Sequence, residues 1–180
     1  MRATSAAANP SAWPPGGFAS YCKEHFGEGP VACEVVDDVP LLQQEYPLMM
    51  AVGRASLAVE RHHPCVIRLH YRGAGEVNRS YLFAGKGVSY DTGGADLKVG
   101  GHMAGMSRDK GGAAALTGLM ETLAQLGPEG IEVWAELGMV RNSIGADSFV
   151  ADEIIRSHVS SRKGCGRHTM VILYEMRSYS

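Results

Sequence analysis

Apolar residues change their period several times along the chain, and each change predicts a different element. Behind a breaker-rich stretch at residues 9–16, Phe18, Tyr21, Cys22 and Phe26 recur at helical spacing, so a short helix leads into a strand at 31–36. The helical pattern returns from Leu41 to Val59, and Pro47 inside it predicts two pieces or one kinked helix. Ile67, Leu69 and Tyr71 then alternate with Arg68 and His70, the signature of a strand with one polar face. Tyr81 to Gly85 is a short apolar run of a more buried type, expected to lie beside that strand. Leu116, Leu119, Met120, Leu123 and Leu126 form one stripe of a helix over 111–126, stopped by Gly127-Pro128. Ile131, Val133, Ala135 and Leu137 alternate with polar or half-polar neighbours as a further strand. Helices alternating with strands predict an α/β fold, with helices covering a mixed, mostly parallel sheet.

Between the run ending at Gly85 and the helix beginning near Gly111 lies a segment too polar and too rich in glycine to be core. It reads Gly-Lys-Gly-Val-Ser-Tyr-Asp-Thr-Gly-Gly-Ala-Asp-Leu-Lys over 85–98, with Asp109 following a Gly/Met-rich stretch. In open α/β sheets ligands bind beyond the carboxyl ends of strands, which is where this loop is predicted to emerge. A phosphate cradle is disfavoured, because the Walker spacing is missing and the carboxylates would repel phosphate. Asp91, Asp96 and Asp109 suit a divalent cation instead. On composition alone a solvated turn with ordinary charges is the favoured reading.

The whole-chain balance adds little beyond class. A length of 180 residues and 45% hydrophobic content are those of one globular domain, and a net charge of -2 with pI near 6.4 gives no reason to expect nucleic acid or an anionic membrane as partner. Cys22, Cys33, Cys65 and Cys165 form no Cys-x-x-Cys pair, which favours reduced thiols in a cytoplasmic protein. No secretory signal or membrane span is evident, so the cytosol is the expected location. The histidines lack zinc-binding spacing and are read as surface or local hydrogen-bonding groups, with His102 alone lying inside the loop.

The string at 85–98 resembles the leucine (cytosol) aminopeptidase family, whose segment reads close to Gly-Lys-Gly-Val-Thr-Phe-Asp-Ser-Gly-Gly, then Lys, then Met-x-x-Met-x-x-Asp. Lys86, Asp91, Lys98, Met103, Met106 and Asp109 fall in the matching register, followed by the small-residue helix start at 111–115. The likeness runs from about residue 9 to about residue 156, and its wording is nearest to an animal branch of aminopeptidase-like proteins. It implies the first half of a phosphorylase/hydrolase-like catalytic domain at 9–156. It also implies two divalent cations, zinc or manganese, with Asp91 bridging them and Lys86 and Asp109 binding one. Lys98 would polarise the peptide carbonyl, and Met103 and Met106 would line the pocket for the first side chain. Helix-entry packing is an equal alternative for Met103. The implied partners are a peptide substrate and, in a homo-hexamer, further subunits.

A lysine ligates metal only as the neutral amine, and deprotonating an unperturbed lysine at neutral pH costs about 5 kcal/mol, so only a metal or a positive field would hold it so. The family's second signature, Asn-Thr-Asp-Ala-Glu-Gly-Arg, is not among the 180 residues. It carries the remaining metal carboxylates and an arginine of the proton relay. At most one weak cation site is therefore expected here, with a catalytically inactive fragment or subunit-binding pseudoenzyme as the alternative to an active enzyme. Residues 157–180 match nothing in the family, and intron read-through or a frameshift is expected to account for them.

Overall fold

The computed structural model describes residues 13–157, so the tail from residue 158 onward and the expectation about its origin lie outside the described residues. Helix α1 (Pro15–Phe26) opens on Pro15, whose missing N–H costs nothing in a first turn, and strand β1 (Val31–Val36) follows. Pro47 divides the next helical stretch as predicted, into α2 (Val39–Glu45) and α3 (Pro47–Gly53). Asp38 caps α2, its side chain accepting from the Leu41 amide at 2.9 Å. Strand β2 (Cys65–Arg72), strand β3 (Arg79–Asp91), helix α4 (Gly111–Leu126) and strand β4 (Ile131–Asn142) complete the order.

The four strands form one mixed sheet in the order β1-β2-β4-β3. β1 and β4 both run antiparallel to β2, and only β3 and β4 are parallel. Predominantly parallel pairing is thus not found among the described strands, because β2 returns against both of its neighbours. Nor are β2 and β3 adjacent as expected: β4 lies between them. The last half of β4 is buried on both faces, as a central strand must be. β3 lies instead at the edge of the sheet, which leaves Tyr81, Leu82 and Phe83 exposed rather than buried.

One face of the sheet carries Cys65, Ile67, Leu69 and Tyr71 of β2 with Val133, Ala135, Leu137 and Met139 of β4, packed under Phe18 and Cys22 of α1 and Met120 of α4. The buried stripe of α4 centres on Ala113, Thr117 and Met120, while Leu126 at the helix end is exposed. On the other face α2 and α3 cover only one end, where Leu42, Met49, Met50 and Val52 meet Val66 and Val140. Arg68 reaches across that face to Tyr46 Oη at 2.7 Å and Glu136 Oε1 at 3.0 Å, tying the α2–α3 junction to the sheet.

Candidate metal centre

The strand expected to end at Gly85 continues to Asp91, so Lys86 and Asp91 stand on β3 rather than in a loop. The glycines that suggested a turn serve packing. A Cβ on Gly85 would meet Leu137, Ala113 and Leu116, and one on Gly87 would overlap Met139 and Gly138. Five residues apart on a regular strand, Lys86 and Asp91 would face opposite sides of the sheet. Val88 is opposite Val140 while Asp91 is opposite Asn142, so β3 carries an extra residue between them. This bulge reverses the alternation and returns Asp91 to the side of Lys86.

The chain then turns on Gly93, whose φ of 89° belongs to the left-handed region and whose added Cβ would strike the Asp96 carbonyl. Asp91 Oδ1 accepts from the Gly93 amide at 2.9 Å and from Asn142 Nδ2 at 2.8 Å. Thr92 closes the same corner, donating through Oγ1 to the Asn142 carbonyl at 2.7 Å. The Lys98 amide is bound to the Thr92 carbonyl at 3.0 Å, and Lys98 Nζ lies 3.4 Å from Asp91 Oδ2. Asp91 is therefore held by one oxygen and presents the other to Lys98.

Asp109 follows a single 3-10 turn, Met106–Arg108, and precedes α4. Lys86 Nζ donates to its Oδ1 at 2.8 Å. Its Oδ2 is buried and accepts no hydrogen bond among the described residues. α4 approaches β3 closely here: a Cβ on Gly112 would lie 2.9 Å from the Lys86 amide nitrogen. Met103 and Met106 are half-buried, with the Met103 carbonyl accepting from Tyr90 Oη at 3.3 Å. Asp96 and His102 are exposed.

Three residues that sequence reasoning passed over complete the site. Asn142, at the end of an alternating strand, is the side chain that orients Asp91. Ser89 Oγ is buried with no hydrogen-bond partner among the described residues. Lys110 is completely buried and donates to the Ser107 carbonyl at 2.6 Å and the Ser89 carbonyl at 3.4 Å; burial pushes its ammonium below the usual lysine range. A polar residue closing a strand is a weak sequence signal for Asn142, and nothing local marks Lys110 as buried.

The donor set fits a divalent cation. Asp109 Oδ2 is an orphaned buried carboxylate oxygen, and Asp91 Oδ2 forms an ion pair with the Lys98 ammonium among the described residues. No three His, Cys, Asp or Glu side chains converge among the described residues, so a cation here would draw on lysine nitrogen as well as aspartate oxygen.

The mixed α/β sheet is the fold of a known class of hydrolases, and the comparisons place the chain within it. The chain belongs to the cytosol aminopeptidase family, whose catalytic domain matches residues 3–162. A Caenorhabditis elegans protein described as an aminopeptidase is 41% identical over 170 residues, covering 91% of this chain and 33% of its own length. The crystal structure of a cytosol aminopeptidase from Coxiella burnetii superposes with TM-score 0.75 at 26% identity, covering 84% of this chain and 32% of that one. The bottromycin maturation enzyme BotP, solved in complex with Mn, gives TM-score 0.74 at 26% identity over 86% of this chain and 33% of its own. This chain thus spans about a third of the length of the relatives it matches.

Proposed function

We propose that residues 9–156 are the first half of the catalytic domain of a metal-dependent, leucine-type aminopeptidase that removes amino-terminal residues from peptides in the cytosol. The observation that carries this reading is the pair of lysine–aspartate contacts, Lys86–Asp109 and Lys98–Asp91, set at the end of β3 by a bulge. Lys86, Asp91 and Asp109 would hold the cation, zinc or manganese. When bound, it supplies Lewis acidity and anchors a free amino terminus.

The chain's own groups do the rest. Asn142 and the Gly93 amide hold Asp91 in one orientation, so that Oδ2 is the oxygen offered to a ligand. Lys98, half-exposed on the turn, would stabilise negative charge developing on the substrate carbonyl oxygen. Lys86, whose Nζ donates to Asp109 Oδ1 at 2.8 Å, would hold the cation through that nitrogen. Met103 and Met106 bound the space for the first side chain, where a flexible thioether accommodates several apolar shapes. Further subunits, in a homo-hexamer, are the proposed assembly partners.

Without the Asn-Thr-Asp-Ala-Glu-Gly-Arg segment the chain as given is proposed to hold at most one cation weakly and to turn over substrate negligibly. The test compares this chain with a version extended through that segment and the rest of a relative's catalytic domain, on leucine amide with added Mn²⁺ or Zn²⁺. The extended form is expected to be active and to lose about 10²–10³-fold on Lys98→Ala. Equal activity of the Lys98→Ala form, or equal metal-dependent turnover by the short chain, would overturn the assignment.

A further inference from the structure

Lys110 sits directly after Asp109 and is fully buried, yet it pairs with no carboxylate among the ion pairs of the described residues. Its ammonium is spent on two backbone carbonyls, Ser107 O at 2.6 Å and Ser89 O at 3.4 Å. Ser107 lies two residues before Asp109, and Ser89 lies two residues before Asp91. Ser89 also falls inside the β3 bulge, between Val88 and Asp91, where the pairing with β4 is interrupted. A bulge leaves its carbonyls out of the ladder, and a buried carbonyl needs a donor from elsewhere.

We propose that Lys110 is a positioning residue for the cation site: its ammonium ties the β3 bulge that sets Asp91 to the turn that sets Asp109. This rests on the reading that Lys86, Asp91 and Asp109 together hold a divalent cation. An apolar side chain of similar length would fill the same space without the desolvation that a buried ammonium suffers. The lysine therefore contributes a fixed relation between two backbone segments rather than cohesion. Lys110 has three donors on a rotatable head, enough to span two carbonyls on different elements.

The experiment uses the 180-residue chain with Lys110→Met and Lys110→Gln, following Mn²⁺ binding by paramagnetic broadening of the backbone amides of Asp91 and Asp109, and thermal unfolding of each form. Lys110→Met is expected to keep or raise the melting temperature while weakening Mn²⁺ binding about tenfold, as loss of a group that orients metal ligands does. Lys110→Gln, which retains a shorter neutral donor, is expected to fall between. Unchanged Mn²⁺ affinity in the folded variants would overturn the inference and leave the half-site reading intact. No broadening at Asp91 and Asp109 in the unsubstituted chain would overturn the half-site reading, and the inference with it. Unfolding of both variants would make Lys110 a purely structural residue and also overturn it.

Discussion

Asn142 and Asp91 exchange a hydrogen bond of 2.8 Å in a buried corner, and the carboxylate has few alternatives there. Asn142→Ala leaves Asp91 under-satisfied and is expected to cost about 1–3 kcal/mol, read as a lower urea midpoint at unchanged slope. On the open face of the sheet, the His70 hydrogen bond at 3.0 Å holds the Glu132 carboxyl below its usual range, with help from Ser80 and Arg72. A carboxylate depressed in the folded state contributes stability above its unfolded pKa of about 4.3 and loses that contribution as pH falls through the folded value. Glu132→Gln is therefore expected to flatten the fall in melting temperature between about pH 5 and pH 3; identical slopes would reject the linkage. Burial pushes the Cys22 and Cys65 thiols up to about 12, which suppresses the reactive thiolate. Alkylation of the native chain at mildly basic pH, followed by mass spectrometry, is expected to leave both unlabelled, whereas labelling as rapid as in urea would contradict their burial.

Between elements, the close approach of α4 to β3 determines where Asp109 meets Lys86. A Cβ on Gly112 would lie 2.9 Å from the Lys86 nitrogen and 3.2 Å from its oxygen, so the helix has to lift away from the strand. Gly112→Ala is expected to destabilise the chain by about 1–3 kcal/mol, as overpacking does. Gly118, in the same helix with open space around it, is the control: Gly118→Ala is expected to be neutral or stabilising by up to about 1 kcal/mol in chemical denaturation. The helices and strands of this region were legible from their periods, including the break at Pro47 and the stop at Gly127. The reach of β3 was not. Gly85 and Gly87 read locally as the start of a turn, whereas contact with Ala113, Leu116, Gly138 and Met139 makes them glycines of a continuous strand.

Over the whole molecule the helices are unevenly distributed. Tyr81, Leu82 and Phe83 lie on an edge strand, and Leu82 is 53% exposed beside the partly exposed Trp134, its register partner on β4. Edge strands with apolar exposed positions favour association between chains. Leu82→Lys is expected to raise the concentration at which light scattering of the purified chain begins, with little change in melting temperature. An unchanged onset would show that this edge does not govern association. Among the described residues no helix is long and apolar enough to cross a membrane.

The sequence alone determined the α/β class, the family and the residue types of the candidate centre, because hydrophobic period and the spacing of Lys86, Asp91, Lys98 and Asp109 are properties of the chain itself. Tertiary structure decided that β4 separates β2 from β3, that a bulge turns Asp91 toward the side of Lys86, and that Asn142 and Lys110 anchor the two aspartate-bearing segments. Strand order, register shifts and the burial of one lysine among many depend on which distant segments pack together. Local periodicity carries no record of that choice.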